Sequence, residues 1–199
     1  MKLLALAFLA FPFCGLLQHG TPGKAPNPRA IALEKKAGFL AMANRDPQKL
    51  DSAIILLKEA IAIDPAYALA YSQLAGLYRR QKTYTKALTL MKQFIELEPK
   101  NPEGLAGYGM MLEVCKKTKE AYKYYQIAAN LNIEKLKHIP VYDKQYLPLQ
   151  VNYACNLIML NKQAEANKII TAALRDHPDY YPAQFVKNSS RAELLETIK

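Results

Sequence analysis

Two short strings, Ala60-Ile61-Ala62-Ile63-Asp64-Pro65 and Phe94-Ile95-Glu96-Leu97-Glu98-Pro99, run in like order and end on prolines 34 residues apart. Such a period constrains the fold more than any other feature, because a chain repeating at this length builds stacked supersecondary units. Proline cannot continue a helix, so each string reads as the end of one. In the window opened at Ala68, Tyr71, Leu74, Ala75 and Tyr78 recur at helical steps and share one face. Tyr84, Ala87 and Met91 form the same stripe on a second helix, with Lys82 and Thr83 left as the turn between. Ala75 and Ala87 are small where two paired helices must approach closely.

The register lays four windows on the chain. Window 34–67 carries Leu40, Ala41, Ala53, Leu57, Ala60 and Pro65, and window 68–101 carries the stripe above. Window 102–135 carries Leu105, Tyr108, Gly109, Ala121, Tyr125 and Ala128. Window 147–180 carries Tyr153, Ala154, Leu157, Ala166, Ile170, Ala173 and Pro178. Ile133 stands where the third window would have proline, so its second helix is expected to run on through Lys137, and residues 136–146 are an insert. On these residues the chain resembles the tetratricopeptide repeat family. Tyr71 replaces the family's Trp, Met91 replaces an aromatic, and Phe94 fills a place where a small residue is common. The resemblance implies an all-α fold, a right-handed α-solenoid of about four helix pairs. Ser190-Arg191-Ala192-Glu193 has the form of a capping box. It points to a C-terminal capping helix within 181–199, whose Leu194, Leu195 and Ile198 would cover the last repeat.

Lys2 followed by the apolar run Leu3 to Phe13 has the layout of an export signal, assigned to 1–20. The apolar stretch reaches Leu17, short of the roughly 20 residues a membrane span needs. Three alternatives stay open: a cleaved signal, a lipoprotein signal modified on Cys14, and an uncleaved N-terminus. All three place the protein in the periplasm or on the envelope, the last two in membrane contact. The Gly- and Pro-rich segment 21–33 reads as a tether leading to a helix start at Asn27-Pro28. The net charge of +10 comes from Lys and Arg scattered without a basic run or a reading motif, so no nucleic-acid partner is expected. Cys115 and Cys155 fall at different heights of neighbouring helices, so no disulfide between them is expected.

His19, His138 and His177 show no metal-pair spacing, and no Gly-rich phosphate loop is present. No catalytic residue, metal or cofactor is assigned, and the protein is read as a non-enzyme. In the family the first helices of the repeats line a concave groove. The resemblance puts Gly38, Met42, Ser72, Gly76, Ala106, Met110, Val151 and Cys155 on its floor. Arg45, Arg79 and Arg80 lie one turn further, with Glu113 opposing them. Such a floor of small and apolar residues suits a helix or apolar peptide of a partner protein. The places that hold acidic chaperone tails in some relatives carry Gly38, Met42, Gln73, Glu103 and Gly107 here, without the Lys and Asn of that clamp. The insert offers His138, Tyr142 and Tyr146 as a contact loop. The expected role is an interaction scaffold or assembly factor in the cell envelope. The alternative is a structural accessory subunit whose groove is filled by its own terminal helix or tether, binding through its convex face or the 136–146 insert.

Overall fold

Helix starts follow the sequence signals closely. Proline opens α1 (Pro28–Met42), α2 (Pro47–Ile63) and α5 (Pro102–Val114), where its missing N–H is no loss. The side chains of Asn27, Asp46 and Asn101 cap them, accepting the backbone N–H groups of Arg29, Gln48 and Gly104 at 2.9, 3.0 and 2.8 Å. These elements belong to a computed structural model that describes residues 25–42 and 46–198. The export signal, Cys14 and Arg45 lie outside the described residues. Within them the chain is all-α, ten helices without a strand, and it divides into two compact units meeting at Pro99 and Lys100.

The first unit holds α1 and α2, then α3 (Ala68–Arg80) and α4 (Tyr84–Leu97). Its core is the anticipated stripe: Ala53, Leu57 and Ala60 from α2, Tyr71, Leu74, Ala75 and Tyr78 from α3, and Ala87, Met91 and Phe94 from α4. The first helix departs from expectation. It buries Ala30, Glu34 and Ala37 and leaves Leu40 and Ala41 half-buried. It starts at Pro28, where the Asn27-Pro28 signal placed it, six residues before the window. The Asn27 N–H donates to the Asp64 carboxylate at 2.8 Å, and Arg29 pairs with Glu59 at 2.8 Å. Both bonds tie the beginning of α1 to the end of α2.

The second unit holds α5, α6 (Thr118–His138), α7 (Tyr146–Met159), α8 (Gln163–Asp176), α9 (Tyr181–Lys187) and α10 (Arg191–Glu196). The α6 helix runs one residue beyond Lys137, so residues 136–138 of the insert are helix and only 139–145 form the connection. The C-terminal region is two helices rather than one. Asn188 Nδ2 and Ser189 Oγ donate to the carbonyls of Gln184 and Phe185, which closes α9. Ser190 and Glu193 then form the full capping box that opens α10. Leu194 and Ile198 are buried. At the centre of the unit Tyr125 is fully buried against α5. A β-carbon on Gly109 would stand 2.7 Å from Tyr125 Cε1, so only glycine fits.

One turn recurs. Lys82, Lys116 and Asn161 occupy the same place in windows 68–101, 102–135 and 147–180, and all have left-handed backbone, with φ of 57°, 62° and 61°. After each, a backbone N–H returns to a carbonyl five residues back: Thr83 to Tyr78, Lys117 to Leu112 and Lys162 to Leu157, at 2.8–2.9 Å. This is a Schellman-type close, which reverses the chain between paired helices. Its recurrence at Asn161 fixes the register of the fourth window independently of Pro178.

Two sets of substitutions test these points. A left-handed L-residue costs roughly 1–2 kcal/mol, and glycine returns about 0.5–1 of that as lost chain entropy. Lys116→Gly is therefore expected to raise stability by about 0.5–1 kcal/mol in urea denaturation, and Asn161→Gly by less, since Asn tolerates this region. Gly109→Ala should lower stability by about 1–3 kcal/mol through overpacking on Tyr125. Equal stability of Gly109→Ala and wild type would contradict the packing described.

Candidate binding faces of the two units

In the first unit the first helices of the two pairs, α1 and α3, lie side by side in the same direction. Glu34 meets Tyr67 and Gln73, and seven residues later Ala41 meets Arg80. Glu34 is 7% exposed and accepts from the Tyr67 hydroxyl at 3.1 Å and from the Gln73 amide. Burial first, then the Glu34 charge, holds the Tyr67 phenol well above its usual value, so it stays a donor. One turn on from Glu34 is Gly38, whose β-carbon position is 3.9 Å from the Gln73 side chain. Met42 follows, 79% exposed. On α3, Ser72 is buried, its hydroxyl donating to the Leu69 carbonyl, so it backs the floor rather than forming it. Gly76 is the open place: no heavy atom lies within 4 Å of where its β-carbon would stand.

Beyond Gly76 stand the two arginines. Arg80 Nη1 donates to the Ala41 carbonyl at 2.8 Å, closing the end of α1 against α3. Burial lowers both guanidinium pKa values from the ordinary range, and for Arg79 the Arg80 charge adds to the effect. Guanidinium groups stay charged at neutral pH even so. The face thus runs from a buried carboxylate at Glu34, across two glycines, to a pair of cations.

The second unit repeats the plan with different details. Asn152 of α7 donates to Glu103 of α5 at 3.2 Å, as Gln73 of α3 does to Glu34 of α1. Each unit therefore joins its parallel first helices by an amide–carboxylate bond. Ala106 and Met110 are half-buried on α5. Val151 is buried at 4% exposure, so it too lies behind the face. Cys155 is half-buried, and burial pushes its thiol up to about 12, which leaves it a neutral, unreactive filler. Cys115 and Cys155 are both unbonded.

Glu113 requires a correction. It is not an exposed rim charge facing the arginines: its side chain is 5% exposed and pairs with Arg191 of α10. The same guanidinium donates through Nε to the Met159 carbonyl at 3.1 Å and lies 5.4 Å from the Tyr122 ring. The capping box places Arg191 on the first turn of α10, and from there it bridges the C-terminal ends of α5 and α7. The chain's own terminus covers that end of the face. Glu34 and Glu113 also show that acidic residues here are not all solvated. Neither was marked by a helical pattern, because their partners lie far away in sequence.

The insert residues fall in separate settings. His138 ends α6 and is exposed, Tyr142 is 88% exposed at the tip of the connection, and Tyr146 opens α7 half-buried. A further cleft of about 390 Å³ lies on the opposite side of α3, between α2 and α4, floored by Ile61, Tyr71, Leu74 and Tyr78 with Lys58 and Lys86 on its rim. Among the described residues, no three His, Cys, Asp or Glu side chains are grouped to hold a metal. None of the described helices is long and apolar enough to cross a membrane.

No protein-family profile matches the chain. Solved structures do. PilW, a widely conserved type IV pilus biogenesis factor, aligns over 79% of this chain and 66% of its own, with 20% identity and a TM-score of 0.57. Pseudomonas aeruginosa pilF aligns over 85% and 81%, with 19% identity and a TM-score of 0.52. YrrB, a tetratricopeptide protein with an unusual peptide-binding site, aligns over 85% and 84%, with 19% identity and a TM-score of 0.50. The likeness establishes the fold: tetratricopeptide-type helix pairs.

Removing Arg191 strands a nearly buried carboxylate. Breaking a fully buried pair costs roughly 3–5 kcal/mol, and Arg191 is a quarter exposed, so Arg191→Ala is expected to cost about 2–3 kcal/mol. Adding Glu113→Leu should recover most of it. Urea denaturation of the single and double variants decides, and a single variant as stable as wild type would remove the bridge from consideration.

Proposed function

We propose that the chain is a non-enzymatic interaction scaffold of the cell envelope that binds a helix or extended apolar peptide of a partner protein on the α1/α3 face. The observation that carries this is the open floor at Gly76, with Gly38 beside it and Arg79 and Arg80 at one end. A partner backbone can come close over two glycines, while the arginines favour an acidic residue at one end of it. Fold likeness to a pilus biogenesis factor and to a protein with a peptide-binding site supports this choice over catalysis. The apolar N-terminal run, read as an export signal, supports the envelope setting. The self-filled alternative has its own support, the Arg191 bridge, and it applies to the second unit. The first unit's face is therefore the one assigned to the partner.

Gly76→Arg tests the assignment, because a β-carbon at Gly76 meets no neighbouring side chain or other helix within 4 Å. Circular dichroism and melting should match wild type. In situ crosslinking in the native envelope should give a partner with wild type that is lost with Gly76→Arg. The purified pair should show binding weakened at least about tenfold, the scale of about 1.4 kcal/mol. Capture of the same partner at the same affinity by both would move the binding site off this face.

A further inference from the structure

The connection Ile139–Gln145 is a turn closed by three hydrogen bonds. The Asp143 N–H donates to the Pro140 carbonyl at 2.9 Å, the Tyr146 N–H donates to the Asp143 carbonyl at 2.9 Å, and the Asp143 carboxylate accepts the Gln145 N–H at 2.8 Å. At its tip Val141 and Tyr142 are 72% and 88% exposed. Lysines flank them along the chain: Lys135 and Lys137 in the last turn of α6, and Lys144 in the turn itself. The two carboxylates of this stretch are engaged, Glu134 by Lys137 at 2.7 Å and Asp143 by the turn. Lys135 and Lys144 have no carboxylate partner among the described residues.

We infer that this turn docks on an anionic lipid surface, with Val141 and Tyr142 entering the headgroup region and Lys135 and Lys144 meeting lipid phosphates and carboxylates. Two arguments favour a bilayer over a protein as the occupant. The apolar element is a convex tip of two side chains, far less than the roughly 800 Å² per partner of a stable protein interface. Tyrosine has its preferred place at the membrane–water boundary, and juxtaposed lysines are drawn to anionic leaflets. The chain's net charge of +10 adds long-range attraction. Attachment of this size is reversible and salt-sensitive.

The chain has no Trp, so Tyr142→Trp installs a single indole reporter at the tip. The full-length variant is mixed with vesicles of phosphatidylcholine alone, or of phosphatidylcholine with phosphatidylserine. The expected result is a blue-shifted indole emission, quenched by brominated lipid, with the phosphatidylserine vesicles only. Adding Lys135→Gln and Lys144→Gln should weaken that response about tenfold or more. Melting curves of all variants establish that the fold is intact. A solvent-like indole on vesicles that nonetheless sediment with the protein would overturn the proposal, since attachment then lies elsewhere, for example at the N-terminal apolar run. Failure to sediment with either vesicle would overturn it as well and leave a protein as the occupant of the tip.

Discussion

Close approach within each helix pair is the constraint on which the rest of this structure depends. Ala53, Ala87, Ala121 and Ala166 stand at the same place in the four windows, and each is fully buried. A larger side chain there would push the paired helices apart and lose the interlocking of the stripes on either side. A neighbouring contact shows the same demand in another form, where Gly109 leaves room for the buried ring of Tyr125. The left-handed turns at Lys82, Lys116 and Asn161 follow from that closeness. Two helices held so tightly must be joined by a connection of a few residues, and the tightest reversal uses a positive φ.

Whatever depends on one helix packing on the next in sequence was legible. The prolines 34 residues apart, the alanines and the aromatic stripe led to helix pairs, and the described residues are all-α. The start of the first helix was legible too, in Asn27 and Pro28, but not which of its residues are buried. Its position is set by Asn27 and Arg29 reaching Asp64 and Glu59 at the end of α2, contacts between residues 30 and 37 apart that no periodicity displays. The floor positions are what the resemblance and its register imply, which carries no depth of burial, and Ser72 and Val151 are buried behind the face. Spacing gives the direction of a side chain, and the neighbouring helix decides whether that direction is open.

The polar contacts separate the two units. Both tie their parallel first helices with an amide–carboxylate bond, and these ties hold the faces in register. At the other end the units differ. The first closes with Arg80 on a backbone carbonyl, which leaves Gly76 open beside it. The second closes with Arg191 from the chain terminus, satisfying a carboxylate that would otherwise be buried unpaired. A buried acid needs a cation from somewhere, and here the chain supplies its own. The same chemistry thus keeps one face available and covers part of the other.

The insert follows from a single missing proline, and it carries a cost. At corresponding places Asp64, Glu98 and His177 end their helices, each with its N–H returned to the last turn. Asn132 holds that place in the third window, but Ile133 follows instead of proline, and α6 continues to His138. Where the others reach the helix end, Asn132 is drawn fully inside, with neither amide atom hydrogen-bonded to the protein. An unpaired buried amide costs about 1–3 kcal/mol. An aliphatic residue at position 132 would avoid that cost and serve the helix as well, so stability alone gives no reason for this asparagine. What the extended helix does is carry Val141 and Tyr142 out beyond the end of the pair, where they are among the most exposed apolar side chains described. The exposed tip exists because α6 continues past the place where the other windows stop, and Asn132 is buried within that same continued helix.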